Sequence, residues 1–422
     1  MKKSVLLLVC SVLFTAACQK NLNTEKSTNL EDWLAKNSSS REALEELPFA
    51  TKQLTAKEAE EATALLLKDH QTMFLSTFTS EWENRLLTQN DLQMPFYYQT
   101  FGDEPADGRS LFISLHGGGG TTPETNDQQF ENQKHLYDEA MKNSEGVYLA
   151  PRAPTNTWDL WHQEHIDDFL DRIIQLAVIK LNVNPNKVYI LGYSAGGDGV
   201  YQLAPRMADR WAAASMMAGH PNDASPLSLR NTPFSLHMGA LDDAYDRNAV
   251  AKQWGVTLDS LQSQDPEGYV HHVELHSGRG HWMQLEDSVA LSWMQKFTRN
   301  PIPEKVVWKQ DNRKHQRFYW LGMPDNSSVT ETAVIVSYNK QANEVNILQN
   351  PQDTLHVFMN DQMLNLDKPI TLKYQGQTIY QGTPERNMLQ IYKSIKAKGD
   401  QNLAFPVALT ILNNSEVKNS NL

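Results

Sequence analysis

Ser194 sits at the centre of Gly192-Tyr193-Ser194-Ala195-Gly196. A serine hydroxyl is a weak nucleophile at neutral pH. To attack a carbonyl it needs a base, a group that orients the base, and donors for the oxyanion that forms. Candidates for each lie elsewhere in the chain. His281, in Gly278-Arg279-Gly280-His281-Trp282, is the candidate base, freed by its two glycines to swing over a sheet. His271, His272 and His276 are set aside, because they lie in or just past a strand-like run. An acid follows Gly239-Ala240-Leu241, where Asp242, Asp243 and Asp246 stand close together. His116-Gly117-Gly118-Gly119-Gly120 offers backbone N–H groups without bulky side chains, and Ala195 offers the one directly after the serine. Together these groups can carry out acyl transfer through a covalent ester on Ser194, with no metal and no organic cofactor.

Such side chains need rigid elements to hold them. Lys187–Leu191 is apolar and β-branched, as a buried strand is, and Val200, Leu203, Ala204 and Met207 repeat at helical spacing after the serine. Strand, G-x-S-x-G and helix make a sharp turn, in which a Cβ at position 192 or 196 would collide with neighbouring backbone. Arg109–Leu115 is a second strand and runs straight into the glycine loop. Val147–Ala150, Trp211–Ala218, Pro233–Met238 and His271–Leu275 read as further strands, with a helix over Ile166–Leu181. Every candidate group then lies in a loop at a strand's carboxyl end, where open α/β sheets bind ligands. The loop carrying Trp158 and Trp161 falls on the same side, as an aromatic platform for substrate or as ordinary packing.

These motifs, with the order serine, aspartate, histidine, resemble the α/β-hydrolase superfamily. Within it the chain looks like the bacterial secreted esterases related to poly(3-hydroxybutyrate) depolymerases, feruloyl esterases and dienelactone hydrolases. The resemblance covers residues 94–300. It implies an α/β-hydrolase fold, a mostly parallel doubly wound sheet. It implies Ser194, Asp242 and His281 as a catalytic triad, and an oxyanion and substrate-binding set of His116, Gly117, Gly118 and Ala195, beside which Trp158 is a candidate. Family spacing is what favours Asp242 over Asp243. The implied activity is cleavage of carboxylic esters through an acyl-enzyme, on an ester-bearing small molecule or polymer. The stretch between Ala218 and Pro233 leaves no room for the helical lid of many lipases, so an open site for bulky or polymer-linked esters is expected. A serine peptidase or amidase on the same fold is one alternative. A non-catalytic surface lipoprotein that binds a glycan or protein is the other.

Around residues 94–300 the 422-residue chain has room for further domains, at 40% hydrophobic and 21% charged. Its net charge of −12, without a basic stripe carrying interleaved aromatics, excludes nucleic acid as an expected partner. Lys2 and Lys3 followed by the short apolar Val5–Phe14 read as a signal peptide over residues 1–17. Thr15-Ala16-Ala17-Cys18 resembles a bacterial lipobox, which implies lipidation of Cys18, a tether over 18–29, and membrane attachment. Gln19 implies the outer membrane, and a secreted or periplasmic soluble protein is the alternative. Cys10 is the only other cysteine, so no disulfide and no cysteine metal site are expected. Losing residues 1–17 removes two lysines and no acids, which takes the charge from −12 to −14.

Residues 30–93 read as a helical segment. Thr55 and Glu58 form a capping-box pattern, and Ala59, Ala62, Leu65, Leu66 and Met73 are spaced to pack against the hydrolase domain. The segment is too short and too helical for the β-propeller of prolyl-oligopeptidase-type enzymes. Past Pro301-Ile302-Pro303, residues 301–422 show short β-rich runs between turns, as in a small sandwich-like accessory domain. One helix is expected near Arg386–Lys396 and a last strand over Pro406–Leu412. Trp308–Trp320 reads as a solvated strand pair.

Overall fold

The computed structural model of the chain describes residues 26–311 and 313–419. The expected signal peptide over residues 1–17 and the expected lipidation site Cys18 lie outside the described residues. Among those described, no helix is long and apolar enough to cross a membrane.

The chain enters through a short helix α1 (Leu30–Ala35), three single turns, and the long helix α2 (Ala56–Glu83). The capping box forms as its residue types dictate: Thr55 accepts from the Glu58 N–H, and the Glu58 carboxylate accepts from the Thr55 N–H. The packing of α2 differs from the expectation. Ala59, Ala62 and Leu66 face a cluster that includes Met388, Leu389, Ile391 and Ile395 near the C-terminus, while Leu65 and Met73 are exposed. Only the second half of α2, through Phe74, Leu75, Phe78 and Trp82, reaches the hydrolase core. At 1.5 Å per residue the helix is about 42 Å long, enough to bridge both parts. The helical reading also ends early. β1 (Leu86–Gln89) is a strand, turned through Asn90 (φ 53°) into β2 (Leu92–Phe101).

The central sheet follows as β3 (Arg109–Leu115), α3 (Pro123–Gln133), α4 (Asp138–Met141), β4 (Gly146–Pro151), α5 (Glu164–Leu181), β5 (Val183–Tyr193), α6 (Ala195–Arg206), β6 (Ala213–Met217), β7 (Phe234–Gly239), α7 (Arg247–Gln264), β8 (His271–His276) and α8 (Val289–Met294). Strand order is β1-β2-β4-β3-β5-β6-β7-β8. The β1–β2 and β2–β4 pairs are antiparallel and every other pair is parallel. The inner strands are apolar on both faces because helices cover both. Ile166, Phe169, Leu170 and Ile173 of α5 pack on one side, and Phe130, Met141, Leu291 and Met294 on the other. This is an α/β-hydrolase fold. From β3 the chain crosses outward to β4, then back past β3 to β5. The order therefore reverses between β3 and β5, and the loops leaving their carboxyl ends lie where open α/β sheets bind ligands. Those loops carry His116–Gly120 and Ser194.

The C-terminal part is β-rich: β9 (Lys305–Trp308), β10 (Arg317–Phe318), β11 (Leu321–Gly322), β12 (Val334–Asn339), β13 (Glu344–Gln349), β14 (Thr354–Met359), β15 (Ile370–Tyr374), β16 (Gln377–Gly382), α9 (Met388–Lys398), β17 (Val407–Leu412) and β18 (Glu416–Asn419). Two five-stranded sheets, β10-β11-β14-β17-β18 and β16-β15-β13-β12-β9, enclose a shared core containing Trp308, Val336, Ile347, Phe358 and Leu409. The polar strand β18 carries no apolar alternation to announce it. The solvated strand pair expected over Trp308–Trp320 is corrected: Trp308, Phe318, Tyr319 and Trp320 are all buried. Their rings enter the sandwich core, while His315 Nε2 lies 2.7 Å from Asp167 Oδ2 of α5.

Buried charges fasten this part to the hydrolase. Arg299 pairs with Asp400 at 2.6 Å, and Lys398 with Asp209 at 2.7 Å. Arg299 also donates to the Asp209 carbonyl at 2.6 Å, and Arg210 to the Lys398 carbonyl at 2.8 Å.

Candidate active site

Ser194 leaves β5 with φ 58° and ψ −121°, a conformation strained for a side-chain-bearing residue. The strain holds because the surroundings fix the turn. The Ser194 N–H still bonds to the Met217 carbonyl of β6 at 2.9 Å, and α6 starts at the next residue. A Cβ at Gly196 would run into the Leu115 carbonyl, so the helix can approach β3 only with glycine there.

The structure brings Ser194, His281 and Asp242 together in a line. His281 Nε2 is 3.0 Å from Ser194 Oγ, and His281 Nδ1 is 2.7 Å from Asp242 Oδ2. Asp242 is 3% exposed and faces Arg247 Nη1 at 3.7 Å through its other oxygen. Asp243 is exposed to solvent, in the neighbouring position of the same loop. The two loops are laced to each other. Ala240 N–H donates to the His276 carbonyl at 3.0 Å and Leu241 N–H to the Arg279 carbonyl at 2.8 Å. Gly239 lies against the Gly280 backbone so closely that no Cβ fits. Tyr193 fixes the histidine loop from the other side: its hydroxyl donates to the His281 carbonyl at 2.7 Å and accepts from the Met283 N–H at 2.9 Å. Nothing in the sequence marked Tyr193, since its position before the serine says nothing about a loop 88 residues away.

The glycine loop meets the serine as expected, but its members differ in role. A Cβ on Gly117 would sit 3.2 Å from Ser194 Cβ, so the loop backbone passes directly beside the nucleophile. Gly118 and Gly119 have φ of 108° and 104°, open to glycine alone. The Gly119 N–H donates to Asn126 Oδ1 at 3.0 Å, so it is already engaged within the loop. Asn126 also donates to the Gly119 carbonyl at 3.0 Å and to Asn156 Oδ1 at 2.9 Å. This buried asparagine escaped sequence reading, being one polar residue among many in α3. Ala195 opens α6, whose first N–H groups have no intrahelical acceptor.

His116 is a support of the loop rather than a group open to substrate. It is fully buried, with Nδ1 2.6 Å from the Gly117 carbonyl and Nε2 accepting from the Ala153 N–H at 3.1 Å. Burial holds its pKa down to about 3, so the ring is neutral. Trp161 is buried beside it and donates to the His116 carbonyl at 2.9 Å, which makes it packing and not platform. Trp158 is 55% exposed and stands over Gly120, whose Cβ would lie 3.3 Å from the indole. Its ring centroid is 5.8 Å from that of Tyr245, and Trp282 lies 5.6 Å from Tyr193. Tyr245 and Trp282, exposed like Trp158, flank the acid and the histidine and extend the aromatic rim. Ser194 is partly buried and the His281 side chain is 43% exposed, so solvent reaches the pair. His220 caps the adjoining loop: its N–H donates to Asp198 Oδ1 at 2.6 Å.

No protein-family model and no curated protein matches the chain. Solved structures do, over about half of it. A thermostable esterase is 17% identical, covering 51% of this chain and 62% of its own, with a TM-score of 0.40. LpqC, a poly(3-hydroxybutyrate) depolymerase from Bordetella parapertussis, is 14% identical over 50% of this chain and 86% of its own, also at 0.40. A Bacteroides ovatus protein thought to be a dipeptidyl aminopeptidase IV is 10% identical over 50% and 35%, at 0.38. The chain resembles the α/β-hydrolase esterases.

Proposed function

We propose that this chain is a serine hydrolase that cleaves carboxylic esters through an acyl-enzyme on Ser194. The observation that carries the reading is the unbroken line from Asp242 through His281 to Ser194, at 2.7 and 3.0 Å. His281 Nε2 takes the hydroxyl proton as Oγ attacks the ester carbonyl, and Asp242 holds the Nδ1–H and stabilises the imidazolium. The tetrahedral oxyanion forms beside the N–H groups of Ala195 and of the Gly117–Gly118 backbone; one such donor is worth about 3 kcal/mol. His281 then returns the proton to the leaving alcohol, and water releases the acid by the reverse path. The open site and the rim of Trp158, Tyr245 and Trp282 favour esters with a bulky or polymer-linked group over esters buried in a closed pocket.

The test is labelling with a fluorophosphonate, followed by turnover of chromogenic esters of rising acyl length and of feruloyl and acetylated-sugar esters, with Ser194→Ala as control. Labelling and turnover that both vanish in the alanine variant are expected. Labelling without turnover of any ester would favour a peptidase or amidase, and absence of both would favour a non-catalytic binding protein. Acylation of Cys18 as a membrane anchor stands as a separate proposal. It is tested by mass spectrometry of the mature N-terminus, where an unmodified terminus would overturn it.

A further inference from the structure

His272, Glu274 and His276 alternate along β8, so all three side chains leave one face of that strand. The register pairs Glu274 with His237 of β7, which adds a second strand's imidazole to the same face. His237 and His276 are both buried. His237 Nδ1 lies 3.2 Å from His276 Nε2 and 3.9 Å from Glu274 Oε2. Two nitrogens held at about 2.0–2.1 Å by a tetrahedral ion stand about 3.3 Å apart, so the spacing of the two rings fits a shared ligand. One ligand atom from each of His237, Glu274 and His276 lies within 4.8 Å of the others.

The surroundings point the same way. His276 Nδ1 faces Glu286 Oε2 at 3.5 Å, and Arg279 Nε holds Glu286 at 3.0 Å. A carboxylate behind a ligating imidazole is the usual support of a metal-bound histidine. His237 differs in this respect: its other nitrogen, Nε2, is buried without a hydrogen-bond partner, so it has no outer support of the kind Glu286 gives His276. His272 stands half-exposed with Nε2 3.4 Å from Glu274 Oε2, on the side open to solvent. Nothing in ester hydrolysis uses any of these groups.

We propose that His237, Glu274 and His276 form a binding site for one divalent transition-metal ion, best filled by Zn²⁺, with Glu286 orienting His276 and water in the fourth position. Two imidazoles and one carboxylate suit this borderline ion, whereas Mg²⁺ and Ca²⁺ call for oxygen ligands throughout. This departs from the expectation of a metal-free chain. Its role is to clamp two strands, not to react. Asp242 follows three residues after β7, and His281 five residues after β8. An ion bridging His237 and His276 therefore ties together the roots of both loops.

The experiment takes the full chain, strips it with a chelator, and titrates it with Zn²⁺ by calorimetry and with Co²⁺ by visible absorption. We expect saturable binding of one ion per chain, release of protons on binding, and the absorption bands of a tetrahedral cobalt site. His276→Ala should lose the site. Glu286→Gln should weaken it by about 10- to 100-fold, as loss of an outer support does. Glu274→Gln changes a partly exposed side chain, so it tests the ligand without demanding that the buried core survive. No saturable binding of either ion by the unaltered chain would overturn the proposal. So would unaltered affinity in both His276→Ala and Glu274→Gln, with circular dichroism showing both folded. Ester turnover enters none of these readouts, so the outcome is independent of the activity of Ser194.

Discussion

Asp242→Asn is the sharpest test of the acid's identity. The substitution preserves shape, so the 2.7 Å contact with His281 survives, but its polarity inverts. The new amide donates to Nδ1 where the carboxylate accepted. The imidazole is then held as the Nε2–H tautomer, whose proton points at Ser194 Oγ and cannot accept another. The charge is lost as well. At about 4 Å between charge centres and an effective dielectric of 20, a carboxylate and an imidazolium attract by about 4 kcal/mol. The His281 side chain is 43% exposed, so solvent screening takes this figure down. Tautomer and charge together should lower kcat/KM by about 10⁴, or about 5.4 kcal/mol of barrier. The assay is kcat/KM on the best chromogenic ester at pH 7.5, beside a thermal melt. Asp243→Asn is the matched control; its side chain is in solvent and its effect should stay within about two-fold. Refutation would be Asp242→Asn within ten-fold of the unaltered chain while still folded, or Asp243→Asn the more damaging of the two.

Three further outcomes follow from other contacts. Asn126→Ala leaves the buried Gly119 N–H without an acceptor, while the Gly119 carbonyl keeps only the Thr121 N–H at 2.6 Å; kcat should fall about 10²-fold through the neighbouring oxyanion donors, and stability by about 1–3 kcal/mol, read by steady-state kinetics and urea unfolding. Asp400→Ala strands the buried Arg299 guanidinium and should cost about 3–5 kcal/mol in the same unfolding assay. Burial pushes the Asp198 carboxyl up to about 6, above its unfolded value of about 3.9. The folded state therefore holds that proton more tightly, and Asp198 lowers stability progressively as pH rises from about 4 to 6. Above that window the cost is complete, at most about 3 kcal/mol for two pH units. Asp198→Asn should be stabilising at pH 7.5 relative to the unaltered chain, with the gain shrinking at pH 4; a gain independent of pH would refute the assignment.

What the sequence disclosed was what local sterics and periodicity enforce. Gly192 and Gly196 announce a turn that only glycine permits, and buried runs such as Lys187–Leu191 announce strands. Once these fall into a parallel sheet, the loops carrying Ser194, Asp242 and His281 share one rim. What stayed hidden depends on partners distant in sequence. Ala59, Ala62 and Leu66 give a helix its apolar stripe, but a stripe does not say what covers it, and the cover is α9, more than 300 residues on. Tyr193, Asn126 and Asp198 act through loops that fold back on them, so their types carried no signal alone. Trp308–Trp320 misled because its charges were read as solvent-facing, although Trp308 and the consecutive Phe318, Tyr319 and Trp320 were entering a core. The run His272-Val273-Glu274-Leu275-His276 was on the page as well. Three polar groups on one face of a strand ask for a partner on the neighbouring strand. Only the pairing of β7 with β8, which sets His237 opposite Glu274, supplies it. The strands that position the acid and the base thus meet at a polar cluster of their own. That placement gives a physical reason for imidazoles and a carboxylate on these two strands: the spacing of β7 and β8 sets the contact between Asp242 and His281.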